Sequence, residues 1–267
     1  NHMNAMSTLY EFLKEHKAVT GANGSNFTHT RIGNGKEAFS ASYSIPPEKL
    51  PTFYRLYCDY VFKYKKMEYL TEKQIPNGPI VVDLDFKYDY SVCEHQYSEG
   101  HIFDIVELYL EEIKSLLQID EGSEIQVYVM EKEHVNRLED KTQTKDGIHI
   151  LFGVQMDHVM QLMLRKKILK KIPEICDIPI INSWETVFDE CISSGKVGWQ
   201  LYGSRKPDHE AYALTRWYVA TMTDCGSFEL DEQETAFDVI TNFEKLSVQY
   251  TGNPKFEINV DILAEYN

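Results

Sequence analysis

Hydrophobic and polar positions along this chain alternate in two periods. Residues 79–82 (Pro79, Ile80, Val81, Val82) form an apolar, β-branched run that leads into Asp83-Leu84-Asp85-Phe86, which predicts a buried strand. Its neighbours at i and i+2 share a face, so Asp83 and Asp85 project side by side while Val82, Leu84 and Phe86 pack behind them. The helical period marks residues 6–18, with Leu9, Phe12 and Leu13 on one side. It marks 46–66, opened by Pro46-Pro47, and 101–117, where Ile102, Ile105, Val106, Leu108, Tyr109, Leu110 and Ile113 are the apolar positions. It marks 157–171, 183–192 and, in the acidic last part of the chain, 231–245.

Strand patterns fall at 27–33, 38–45, 124–130, 147–154, 198–202 and 212–221. A loop is expected over 21–26, a hairpin turn at Gly33-Asn34-Gly35-Lys36, a polar loop over 88–100, and a charged loop or short helix over 131–145. Several short strands around helices, with no internal repeat, predict an α+β fold rather than a doubly wound sheet.

Composition narrows the picture. The chain has 267 residues, enough for one large domain or two joined modules. Asn1-His2-Met3, with a second methionine at Met6, reads as a cloning remnant. No apolar run is long enough to span a membrane, so no membrane partner is expected. No secretory signal is read. The five cysteines are scattered, odd in number and without a Cys-x-x-Cys pair, which suits a reducing interior. Cys93, His95 and His101 are close enough in sequence to supply part of a Zn²⁺ site. A net charge of −15 argues against indiscriminate nucleic-acid binding and confines any such contact to a local basic surface.

The chemistry starts from Asp83 and Asp85. Two adjacent carboxylates at the end of an apolar strand repel each other, and burial disfavours their charged forms. Either one of them caps a turn, or a divalent cation with hard oxygen ligands offsets the cost. A second cluster is Lys145-Asp146-Gly147-Ile148-His149, in which Gly147 leaves room beside the imidazole and Lys145 offers a point charge. A third is Val187-Phe188-Asp189, an apolar pair ending in an acid. A fourth is Gln200-Leu201-Tyr202-Gly203-Ser204-Arg205-Lys206, a short strand running into a small-residue turn and two cations. Taken one at a time, the Asp-x-Asp pair reads equally well as a turn cap, and the other three clusters read rather as surface polar groups.

Their order resembles the archaeo-eukaryotic primase (AEP) superfamily, whose motifs are a strand-borne Asp-x-Asp, a small-x-His and a hydrophobic-Asp. The primase domains at the front of primase–helicases of large DNA viruses are the closer likeness, helped by Phe27-Thr28-His29-Thr30-Arg31-Ile32 and Tyr69-Leu70-Thr71-Glu72-Lys73. The resemblance runs from about Leu9 to beyond Thr215. It implies an N-terminal α/β module joined to an RRM-like module with the active site between them. Residues 4–267 would form one catalytic domain: about 4–80 an N-terminal module, about 81–225 the motif-bearing core, and about 226–267 an acidic extension.

By the same resemblance Asp83, Asp85 and Asp189 would ligate two Mg²⁺ or Mn²⁺ ions. His149, Lys145, Gly147, Ser204, Arg205, Lys206 and Arg31 would meet an NTP or dNTP. Single-stranded DNA template and a helicase domain of the same polypeptide would be partners, at a cytoplasmic or viral replication site. Gln200 stands where relatives often have Arg, and Glu185 and Glu190 flank Asp189 as rival ligands. Other readings stay open: a non-priming repair polymerase, a metal-dependent nuclease, or a non-catalytic module that stacks bases on aromatics. The glycine–lysine–Ser/Thr loop of a helicase is absent from the sequence.

Overall fold

The computed structural model describes residues 2–19, 26–33, 35 and 39–267. Most of the loop expected over 21–26, and Asn34 and Lys36 of the expected hairpin turn, lie outside the described residues. In chain order the elements begin with α1 (His2–Glu15), β1 (His29–Arg31), β2 (Ala41–Tyr43), α2 (Leu50–Cys58), β3 (Leu70–Glu72) and β4 (Asn77–Tyr88). They continue with α3 (Glu99–Leu116), β5 (Glu124–Glu131), β6 (Asn136–Arg137), β7 (Thr144–Asp157) and α4 (His158–Ile175). The last are α5 (Trp184–Val187), α6 (Glu190–Ser193), β8 (Trp199–Gln200), β9 (Ala213–Met222), β10 (Phe228–Glu232) and α7 (Leu263–Tyr266). The fold is α+β, as the pattern predicts. The chain divides into two compact units, each assembled from three separate stretches. Modules drawn as consecutive stretches of sequence do not coincide with them.

The first unit takes Asn1–Gln74, Gly198–Tyr212 and Asp238–Tyr250. Its sheet has the order β2-β1-β3-β8, all antiparallel. Leu9, Phe12 and Leu13 of α1 are buried, as their spacing predicts, in a core with Phe53, Tyr57, Leu70, Leu201 and Phe243. Helix α2 opens with a proline in its first turn, where the missing N–H costs nothing, and runs on as a π-turn over Asp59–Lys63. Buried Glu72 of β3 accepts from the Ser247 hydroxyl and from the Val248 N–H at 3.2 Å. Gln249 donates to the carbonyls of Thr28 and Lys73. Segment 247–249 is thereby stitched to the sheet. Where a helix is expected over 231–245, the structure has β10 and then only a 3-10 turn, Phe243–Leu246. Pairing of Phe228–Glu232 with Tyr218–Met222 overrides the weak helical period.

The second unit takes Ile75–Val197, Ala213–Phe237 and Thr251–Asn267. Its antiparallel sheet has the order β10-β9-β5-β7-β4, with β6 folding back on the start of β7. The stretch 131–145 therefore holds a short strand pair and no helix. β4 and β5 run parallel with β7 between them and α3 connecting them, a split β-α-β unit. Helices α3 and α4 cover one face. There Val82, Leu84 and Phe86, Ile148, Ile150 and Phe152, and Ile125, Val127 and Val129 meet Ile105, Tyr109, Leu164 and Ile168. Ser98 caps α3 in a reciprocal box with His101, and Asp157 caps α4 by accepting from the Met160 N–H at 2.8 Å. Pro79, which has no N–H to give, sits where the β4–β7 register shifts.

Candidate active site

Everything at this site follows from the pairing of β4 with β7. Asp83 lies opposite His149, Asp85 opposite Gly147, and Lys87 opposite Lys145. Directly opposed residues of an antiparallel pair share a face, with Cβ atoms about 5 Å apart. Leu84 and Phe86 are fully buried against the helices, so both aspartates project from the other face, as their alternation predicts. His149 Nε2 stands 3.3 Å from Asp83 Oδ1, and Lys145 Nζ stands 3.7 Å from Asp85 Oδ2. Gly147 presents no side chain across from Asp85, which leaves open the space that Lys145 reaches over. The aspartate side chains are 28% and 42% exposed, accessible to a small ligand, whereas that of His149 is only 9% exposed and held in place.

Asp189 joins this row through its backbone. The sequence predicts one helix over 183–192; the structure has two single turns, α5 and α6, with Phe188 and Asp189 extended between them. Phe188 bridges to Leu84, and the Asp189 N–H donates to the Asp83 carbonyl at 3.3 Å. In an antiparallel bridge, 84 opposite 188 sets 83 opposite 189. Asp189, Asp83 and His149 thus form a row across three adjacent strand segments, on the face away from the helices. Phe188 itself is buried in the core, which explains why the helix breaks here: its ring packs with Tyr109 and Trp184. Asp189 Oδ1 accepts from the Cys191 N–H at 2.9 Å and caps α6.

Two residues that the motif pattern passes over hold this arrangement. Arg165 on α4 donates from Nε and Nη2 to the Phe188 carbonyl, at 3.1 and 3.0 Å, and from Nη2 to that of Glu185 at 2.8 Å. Asn182 accepts from the Lys87 N–H and donates to the Asp85 carbonyl, at 3.1 and 3.0 Å. Both act on backbone atoms, so no spacing of residue types betrays them; Asn182 stands out only as a polar residue after Ile180-Ile181, and Arg165 is hidden at the head of a lysine-rich run.

Behind Lys145 and Gly147, the neighbouring Asp146 points to the opposite face and is buried. It accepts from His95 Nδ1 at 2.9 Å and from the Gly147 N–H at 2.9 Å, while His95 Nε2 meets the Glu133 carbonyl at 2.9 Å. Burial alone would lower the His95 pKa. Two acceptors, one on each ring nitrogen, outweigh it and raise the pKa above the ordinary value. His101 is taken by Asp177 at 2.6 Å and by the α3 cap, and Cys93 lies against the Ser91 carbonyl. The three groups named for zinc thus have separate partners. Among the described residues, no three His, Cys, Asp or Glu side chains stand ready-made around one ion.

The remaining predicted residues belong to the first unit. The Arg31 guanidinium is buried, paired with both Glu68 carboxylate oxygens at 2.8 Å and with the Tyr43 hydroxyl at 2.7 Å. Its donors are committed to the fold, which leaves the expected nucleotide contact without support. Ser204 is buried as well: its hydroxyl accepts from the Leu70 N–H at 3.1 Å and meets the Tyr57 hydroxyl at 2.8 Å. Arg205 donates to the His209 carbonyl at 3.3 Å, and Lys206 is exposed.

Residues 28–218 match the family model described as the C962R protein N-terminal AEP domain, and that stretch includes Asp83, Asp85, His149 and Asp189. The chain belongs to this family of AEP domains. The AEP domain is also 34% identical, over 213 residues, to the Acanthamoeba polyphaga mimivirus protein named "Putative helicase L207/L206". The match takes in 77% of the present chain and 21% of that protein, so the chain spans about a fifth of its relative's length. At the level of the family, the AEP domain is of the primase type, a class of nucleotidyltransferase domains. No described helix of the AEP domain is long and apolar enough to cross a membrane.

Proposed function

We propose that this AEP domain is a template-dependent nucleotidyltransferase that makes primers on single-stranded DNA from NTPs or dNTPs during viral DNA replication. The observation that carries the reading is the row Asp189–Asp83–His149, set by strand register and by the hydrogen bond from the Asp189 N–H to the Asp83 carbonyl.

Asp83, Asp85 and Asp189 would hold two Mg²⁺ or Mn²⁺ ions. The donor set fits in its chemistry, all three groups being carboxylates with oxygens suited to a hard cation, and the described side chains are not gathered around a single point as they stand. Asp189 uses only one of its two oxygens as a cap. Once bound, the ions would supply Lewis acidity to the attacking 3′-hydroxyl and to the departing pyrophosphate. The chain's own groups do the rest. Asp83 and Asp85 each have a cationic or imidazole neighbour, which lowers the mutual repulsion of the acids before any ligand arrives. His149 Nε2 and Lys145 Nζ, on the same face as the acids, would donate to phosphate or sugar oxygens of the nucleotide. Lys206 and Arg205 would bind the triphosphate. The helicase name of the mimivirus relative supports a helicase domain elsewhere in the full-length polypeptide.

The test is a single-stranded template with Mg²⁺ or Mn²⁺ and, separately, ribo- and deoxyribonucleotides. Primer extension together with dinucleotides made from free nucleotides is the expected result. Extension without dinucleotides would point to a non-priming polymerase of the same family. No incorporation with any nucleotide would overturn the proposal.

A further inference from the structure

The first unit carries a cationic surface on which Lys63, Lys65 and Lys66 have no part in the transfer chemistry. The π-turn Asp59–Lys63 ends in Tyr64-Lys65-Lys66-Met67, where the Lys66 N–H reaches the Tyr60 carbonyl at 3.1 Å. Lys63, Lys65, Lys66 and Met67 are exposed, and the Lys63 ammonium lies 5.3 Å from the Tyr64 ring centroid. Lys65 takes φ +58°, a left-handed conformation that glycine would adopt without cost. The chain keeps a charged side chain there and so directs it to solvent. Alongside runs the turn after β8: the Arg205 N–H donates to the Glu68 carbonyl at 3.0 Å, bringing exposed Lys206 close to Lys66 and Met67. The Tyr202 ring stacks on Phe62.

Cations interleaved with half-exposed tyrosines suit an extended polyanion whose flat groups stack between phosphates. The other lysine-rich surface, on α4, lacks those aromatics, and its Lys171 is already paired with Glu112 at 2.5 Å.

We infer that Lys63, Lys65 and Lys66, together with Tyr64, bind the phosphate backbone of a single-stranded nucleic acid. This deepens the proposed function by assigning the template strand a surface outside the carboxylate site; it rests on that reading only for the identity of the strand.

The experiment is fluorescence anisotropy of a labelled oligothymidylate, without metal or nucleotide, between about 50 and 200 mM salt. Lys63→Ala/Lys65→Ala/Lys66→Ala is expected to bind at least tenfold more weakly. Its log–log salt slope should shrink by about 2, three contacts at about 0.7 each. The triple Lys→Arg variant, with its charge retained, should bind like the wild type. An unchanged slope and affinity in the alanine variant would overturn the inference. So would an equal loss on Lys166→Ala/Lys167→Ala/Lys170→Ala of α4. The two proposals fail separately. Wild-type polymerisation with unaltered binding by the alanine variant removes the surface alone. The expected binding pattern without any nucleotide incorporation removes the polymerase alone.

Discussion

Asp189 owes its place to backbone hydrogen bonds and to the burial of the phenylalanine before it, and this makes single-residue predictions sharp. Asp83→Asn, Asp85→Asn and Asp189→Asn keep the size of each side chain and remove its charge. Each should abolish nucleotide incorporation while leaving the thermal transition close to that of the wild type; extension near the wild-type rate by any of them would refute its assignment. Arg165 touches no substrate atom in this scheme and serves as a positioning residue. Arg165→Ala should cut incorporation by about 10- to 100-fold, the usual cost of losing the support behind a metal ligand. The metal-activation curve should move to higher Mn²⁺, and part of the rate should return at saturation. A lower rate with an unmoved curve would mean that Arg165 matters only for folding. Of these four residues, the three acids were legible from sequence order. Arg165 was not, because a side chain that binds carbonyls leaves no mark on its partners' identities.

Elements with one dominant period were legible. The strand through Asp83 and Asp85 and the stripe of α3 stand where alternation and helical spacing put them, since burial on one face decides both. The stretch 183–192 was misread for a definite reason. Trp184, Val187, Phe188 and Ile192 have helical spacing, yet the bridge from Phe188 to Leu84 outweighs one turn of helix. Local pattern holds no trace of a partner a hundred residues away. β6 escaped for a similar reason, being two residues long and defined only by its pairing with β7. The turn after β8 makes a testable case. Gly203 has φ +93°, and a Cβ there would meet Phe62 Cζ at 2.7 Å. Gly203→Ala should therefore destabilise the protein by about 1–3 kcal/mol through backbone strain alone, before any clash. Thermal denaturation would show it, and an unchanged transition would mean that the turn relaxes freely.

At the scale of the molecule, two buried groups of the first unit give stability a dependence on pH with a definite sign. Burial pushes the Glu72 carboxyl up to about 8 and holds the His29 imidazole down at about 3. The two shifts act in opposite directions. Glu72 ionises more readily in the unfolded chain, so its contribution is complete below about 4.5 and is lost as pH rises towards 8. His29 protonates more readily in the unfolded chain, so its contribution is complete above about 6.5 and is lost as pH falls towards 3. Stability should be highest on a plateau between about pH 4.5 and 6.5 and fall on both sides. Glu72→Gln should abolish the alkaline fall, so that in a series of denaturant titrations stability climbs to about pH 6.5 and stays level above it. An unaltered alkaline limb would show that Glu72 does not govern it.

The strip from Ile181 to Asp189 has one more consequence. It lies along β4, an outermost strand of its sheet, and occupies the backbone groups of Asp83, Asp85 and Lys87 that would otherwise be offered to any passing chain. The peptide that delivers the third acid also works as a selvedge, keeping the fabric from being stitched to a neighbour's. Damage to it would pull the third acid out of its row and, through the same few bonds, bare an edge on which a second molecule could settle.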